Sequence, residues 1–273
     1  MSMTGNKTNI ITLICNKGGV GRSTTAINYA WSLAIKDKKV LVCDLDAQAN
    51  ASSTLALDYG TDVVDRGKNM TNLLKSSGEG ALDFIVDTRN ENIKLLASTL
   101  VLDSTEGEVK SFLDLNIFKL FDHMFNNKLK EEFDYIIFDT PPLKSSVLTL
   151  NALLISNWYW YILSAEDQWS FDARIVTEKI MKDVRKLNRK IKPLPVLLTK
   201  YISSSSQSVQ MKKAALKAFK SSIVKTPITY STVVAKSHSK RQSIHESSPN
   251  HQIAKEYDKV AESISNFINK KKK

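Results

Sequence analysis

Residues 10–25 constrain the fold of this 273-residue chain more than any other stretch. An apolar run at 10–14 leads into Cys15-Asn16-Lys17-Gly18-Gly19-Val20-Gly21-Arg22-Ser23-Thr24-Thr25. A helical apolar pattern follows at Ile27, Ala30, Trp31, Ala34 and Ile35. A strand, a glycine-rich turn and a helix opening on three hydroxyl residues form a phosphate cradle. The glycines let backbone N–H groups converge on an anion, and the helix N-terminus adds unpaired donors and partial positive charge. The ligand that this geometry implies is a nucleotide phosphate. Loops of this kind normally carry lysine where this chain has Arg22, and Lys17 places a second cation at the front of the loop.

Residues 39–45 form a second apolar run that ends in acid, so the helix between the two runs marks a parallel β-α-β crossover. Strand alternation through Asp44-Leu45-Asp46 puts both carboxylates on one side, at the carboxyl end where parallel sheets bind ligands. There they could hold magnesium through water or orient an attacking water. A third run, 133–138, is stopped by Asp139-Thr140-Pro141-Pro142 and delivers Asp139 to the same edge.

These three stretches carry a resemblance. Lys17 to Thr25 is similar to the deviant Walker A motif of the ParA/Soj and MinD group, KGGVGKTTT. Asp44 to Asn50 resembles that group's DxDPQGN box, with Ala47 and Ala49 in place of proline and glycine. Residues 134–142 resemble its Walker B strand, YDYIIIDTPP. The resemblance implies a single doubly wound, mostly parallel α/β sheet of the P-loop NTPase type, and ATP with Mg²⁺ as cofactors. It places Gly18, Gly19, Val20, Gly21 and Arg22 on the phosphates and Thr24 near the inner ones. Ser23 and Asp139 serve magnesium, Asp44 reaches it through water, and Asp46 positions the hydrolytic water. It also implies an ATP-dependent sandwich homodimer in which Lys17 crosses to the partner's phosphates. Hydrolysis, weakened by Arg22, would dissolve that dimer with help from a centromere-binding ParB-like partner.

Charge is unevenly placed. Residues 1–173 carry 16 Lys and Arg against 22 Asp and Glu, whereas residues 174–273 carry 23 against 6, giving balances of −6 and +17 within the formal +11. An anionic polymer fits the second part, and the resemblance makes it double-stranded DNA bound without regard to sequence, as in plasmid or chromosome partition. The candidate contacts are Lys182, Arg185, Lys186, Lys212, Lys213, Lys236, Lys240 and Arg241. With no signal peptide and no long charge-free apolar run, the expected location is the cytoplasm, at the nucleoid. Two alternatives stand beside this reading. One is a MinD-like positioning ATPase that attaches to membrane through the C-terminal helix and its Lys270–Lys273 tail. The other is a nucleotide-binding scaffold that hydrolyses little because of Arg22.

The expected organisation is a loose segment at 1–8, one ATPase domain over 9–269 whose basic part is 174–245, and a basic tail at 270–273. Helices are expected at 52–57, 70–74, 112–129, 147–155, 169–187, 207–220 and 251–269, and further strands at 93–97, 158–163 and 193–198. Trp158 to Tyr161 is read as core. Cys15 and Cys43 are read as buried free thiols, and His238, His245 and His251 lack the partners a metal site needs.

Overall fold

The computed structural model describes residues 8–76, 80–112, 119–143, 146–166 and 174–272. Its frame is an eight-stranded sheet built from β1 (Asn9–Ile14), β2 (Val40–Asp44), β3 (Ile85–Asp87), β4 (Ile93–Leu96), β5 (Tyr135–Asp139), β6 (Trp158–Ser164), β7 (Lys192–Pro193) and β8 (Leu197–Thr199). The spatial order is β3-β4-β2-β5-β1-β6-β7, with β8 also paired to β6. Every pairing is parallel except that of the edge strand β3 with β4. The central strands β1, β2 and β5 are buried at every residue, as continuous apolar runs covered on both faces require.

Alternate side chains of these strands feed two layers. Leu13, Val42 and Ile137 face the layer of α1 (Arg22–Ala34) and α12 (Gln252–Lys272), which pack along each other. Leu41, Ile136 and Phe138 face the layer of α3 (Met70–Lys75), α5 (Leu120–Met124), α6 (Asn127–Glu132) and α7 (Val147–Ile155). The chain leaves β1 through α1 toward β2 on one side, and leaves β5 through α7 toward β6 on the other. Right-handed crossovers in opposite directions put α1 and α7 on opposite faces, so the switch point lies at the carboxyl ends of the adjacent strands β1 and β5.

Several expectations require correction. The single helix over 112–129 does not form. The structure instead has α4 (Leu102–Phe112), α5 and α6, and residues 113–118 lie outside the described residues. The break falls at Asn126, whose side chain accepts from Leu129 N at 3.0 Å and caps α6. The strand over 193–198 is split into β7 and β8, because Pro193 and Pro195 supply no N–H. α12 runs through Lys272, so Lys270, Lys271 and Lys272 of the expected tail are the last turn of a helix that began at Gln252. Strand β2 stops at Asp44, so Asp46 sits in the turn beyond it. Of the helix expected at 169–187, the part at 174–187 is α8 (Arg174–Leu187), and the remainder lies outside the described residues.

The aromatic run is core: Trp158, Trp160 and Tyr161 are buried and Tyr159 is partly so. Trp160 is 0% exposed, donates its indole N–H to Pro195 O at 2.9 Å and meets Tyr29 edge-on with ring centroids 4.9 Å apart. Trp160→Ala is expected to cost about 3–5 kcal/mol in urea unfolding, since it leaves both a cavity and an unmet carbonyl. A loss below about 1 kcal/mol would show that this layer collapses to fill the gap. Cys15 and Cys43 are free and buried.

Candidate nucleotide site

Beyond β1 the chain turns through Gly19 (φ 75°) and Gly21 (φ 87°) into α1. Gly21 is the N-cap of α1, in the left-handed region and with no side-chain cap. The N–H groups that open α1 therefore keep no intrahelical partner, the condition for gripping an anion. A side chain at Gly21 would be strained, and its Cβ would lie 3.9 Å from the Thr199 side chain. Thr199, at the end of β8, donates its hydroxyl to Val20 O at 2.7 Å and so fixes the back of the loop.

Register places the acids. Asp44 and Asp139 are cross-strand neighbours at the ends of β2 and β5, and both are fully buried. Asp44 Oδ2 accepts from Ser52 N and Ser52 Oγ, each at 2.8 Å, and Oδ1 accepts from Asp46 N at 3.1 Å. These bonds hang α2 (Asn50–Leu55) on Asp44. Burial, then the Asp139 charge, push Asp44 up to about 7 against the Ser52 and Asp46 bonds. Burial lifts Asp139 to about 6, with the Arg22 charge and the Ser23 side chain pulling it back. Neither Asp139 oxygen meets a partner at hydrogen-bonding geometry among the described residues, while the Ser23 hydroxyl and the Arg22 charge lie near enough to steady its ionised form. A buried carboxylate left this way beside a serine fits a hard cation, whose remaining ligands would be water and phosphate oxygens. No group of three or more His, Cys, Asp or Glu suited to a metal occurs among the described residues. The three histidines accordingly form no such cluster.

Arg22 is 6% exposed. It donates to Thr140 O and its guanidinium lies 3.7 Å from Asp46 Oδ2. Lys17 stands exposed at the front of the loop. Gly18, Gly19, Gly21, Arg22, Ser23, Thr24 and Asp46 line one cleft of about 710 Å³. Val20, by contrast, is buried beneath the loop.

The far wall of that cleft escapes sequence reasoning. It comes from Ile228–Thr232 and from Val234, Ala235 and His238 of α10 (Thr232–Ser239), with Lys200 and Asp103 at its margins. His238 Nε2 lies 3.4 Å from Thr24 Oγ1. About two hundred residues separate this wall from the loop, and its polar sequence offers no motif. The basic residues Lys236, Lys240 and Arg241 pointed to DNA instead.

The basic candidates fall into separate patches. Lys182, Arg185 and Lys186 lie on α8, which packs against α7. Lys212 and Lys213 lie on α9 (Ser206–Phe219). Lys236 is on α10, with Lys240 and Arg241 just after it. α10 packs against α11 (Ile244–Ser247), which touches α1 and α12 in the opposite layer. Arg185 donates to Tyr159 Oη at 2.5 Å, Lys186 pairs with Asp183 at 2.6 Å and Lys212 lies 4.8 Å over the Tyr201 ring.

A family model described as an AAA domain matches residues 8–193. The chain is similar to the sporulation initiation inhibitor protein Soj of Bacillus subtilis, with 29% identity, covering 80% of this chain and 83% of that one. It is also similar to the chromosome partitioning protein ParA of Myxococcus xanthus, with 30% identity over 78% and 72% of the two chains. A solved structure of a Borrelia burgdorferi B31 protein assigned to plasmid partition, bound to AMPPNP, superposes with a TM-score of 0.74 and 26% identity, covering 97% of this chain and all of that one. The family model spans well over half of the chain and a relative 30% identical is covered over more than two thirds of its length, so the chain belongs to the ParA/Soj/MinD family of deviant Walker A P-loop ATPases.

Proposed function

We propose that this chain is a partition ATPase that binds Mg-ATP, dimerises around it and then holds DNA without sequence preference. The observation that carries the reading is the partnerless buried carboxylate of Asp139 facing a loop whose helix starts at Gly21 without a cap. Backbone N–H groups of residues 18–24 and the Arg22 guanidinium bind the phosphates, and Thr24 sits near the inner ones. Ser23 and Asp139 hold magnesium, which when bound neutralises charge developing on the phosphates, and Asp44 orients α2 behind them. Asp46 orients the attacking water. Lys17 reaches the partner's phosphates, so nucleotide and dimer stabilise each other. The chain works as one ATPase unit over 9–269 with its basic part at 174–245, acts at the nucleoid, and releases DNA when a centromere-binding partner speeds hydrolysis.

A MinD-like membrane role is not favoured, because Ile253, Tyr257, Val260, Ile264 and Ile268 of α12 are buried. No helix among the described residues is long and apolar enough to cross a membrane. A slow-turnover scaffold is favoured by one feature, the engagement of Arg22 with Thr140 and Asp46.

Fluorescence anisotropy on two unrelated duplexes of equal length, with ATP or ADP across a salt series, tests the reading. Affinity is expected to be higher with ATP, equal for both duplexes and steeply lowered by salt, with Lys17→Ala losing the ATP advantage. Equal affinity with ATP and ADP would remove the switch, and binding to one duplex alone would make the protein a sequence reader.

A further inference from the structure

Arg89 lies in the turn between β3 and β4, away from the nucleotide, and its guanidinium joins three segments. Its Nε donates to Glu246 Oε1 at 2.5 Å. One terminal nitrogen donates to Thr54 O at 2.6 Å and to Arg241 O at 2.7 Å, and the other reaches Ala56 O at 3.4 Å. Thr54 and Ala56 belong to the carboxyl end of α2, where helix carbonyls lack partners. Arg241 follows α10 in the left-handed region at φ 53° and depends on its surroundings to stay there. Glu246 closes the capping box that starts α11.

Two of the joined segments, α2 and α10, also reach the nucleotide cleft. Asn50, the first residue of α2, lines the cleft, and Ser52 holds Asp44. His238 of α10 lines it too and meets Thr24. Lys236, Lys240 and Arg241 are thus anchored on one side by His238 at the phosphate loop and on the other by Arg89 at α2. The charge of Arg89 is spent on Glu246 and main-chain carbonyls, which makes it a tether and not a phosphate contact.

We propose that Arg89 is a positioning residue that fixes the basic 236–241 segment to α2, so that nucleotide state felt at Asp44 and Asp46 sets how that segment meets DNA. This rests on the reading that the segment contacts DNA under ATP control. Arg89→Gln removes the charge and the fork. Glu246→Gln keeps one acceptor oxygen for Ser243 N in the capping box and puts an amide NH2 where Arg89 finds its acceptor, which removes the charge pair and its hydrogen bond and leaves the carbonyl contacts of Arg89 in place. The quantity to measure is the ratio of DNA affinities with ATP and ADP, beside ATP affinity by calorimetry and the melting temperature.

Arg89→Gln is expected to lower the ratio about fivefold or more, the scale of an ordinary coupling free energy, with ATP affinity within about twofold of wild type. Glu246→Gln should shift the ratio in the same direction by less. An unchanged ratio in Arg89→Gln overturns the proposal. So does an equal loss of affinity with both nucleotides accompanied by a lower melting temperature, which marks a purely structural staple. Should Arg89→Gln fail to fold, Glu246→Gln decides by the same ratio. A wild-type ratio of one defeats the nucleotide-switch reading and this proposal with it, whereas a wild-type ratio kept in the variants defeats this proposal alone.

Discussion

Arg22→Lys is expected to raise ATP turnover by roughly tenfold, about 1.4 kcal/mol of barrier, while Asp46→Ala removes turnover and keeps the ATP-bound dimer. The argument is geometric. The Arg22 guanidinium donates to Thr140 O and lies 3.7 Å from Asp46, and the two side chains are 6% and 15% exposed. In this posture its charge is shared among the protein's own acceptors, and Asp46, the carboxylate proposed to orient water, has a cation beside it. A lysine carries one ammonium on a flexible stem, so it does not hold Thr140 and Asp46 from two separate nitrogens as the Arg22 fork does, and it is freer to move to the phosphates and leave Asp46 to the water. Steady-state phosphate release with DNA present checks this. Equal turnover in wild type and Arg22→Lys would mean that the fork leaves Asp46 when ATP enters. Residual turnover in Asp46→Ala would move the water-orienting role elsewhere.

The loop and the two acid-ended strands were legible because their chemistry is local. A glycine with positive φ, a helix start and a strand buried on both faces each leave a mark within a few residues. What the sequence hid arises from distance or from turns. Alternation through Leu45 assumes that β2 continues, but Asp44 collects the N–H groups of Asp46 and Ser52 and ends the strand one pair early. Apolar periodicity over 112–129 reads as one helix, yet Asn126 captures Leu129 N and starts a new one. The signal for that break, a good N-cap residue inside an apolar pattern, is present in the sequence and was outweighed by the periodicity. The wall at 228–238 left no local mark at all, since its role comes from α10 lying over the opening of α1.

Asp139→Asn is expected to stabilise the protein without nucleotide at pH 8 and to abolish the further stabilisation by Mg-AMPPNP. Asp139 in the folded chain titrates near 6 and Asp44 near 7, both raised from 3.8. A carboxyl whose folded value is raised holds its proton in the fold at pH values where the unfolded chain has lost it. Its stability contribution is therefore complete below about pH 3.8 and is lost as pH rises through about 6 to 7. For Asp139 the change of about two units corresponds to a few kcal/mol at most, on the order of 2–3. His238 and His245, both held below 6.5 by burial, act in the opposite sense, because folding disfavours their protonation as pH falls. Their contribution is common to wild type and variant, so the difference between the two reports the Asp44–Asp139 pair, because removing the Asp139 charge also relieves Asp44. Wild type should lose stability from about pH 4 to 8 relative to Asp139→Asn, and magnesium with nucleotide should restore it by meeting the ionised carboxylate, most strongly at pH 8. Thermal unfolding of both proteins across that range, with and without Mg-AMPPNP, supplies the measurement. A variant that keeps the magnesium increment would take Asp139 out of the metal site. One that shows no gain at pH 8 without ligand would mean that the buried carboxylate is already balanced by Arg22.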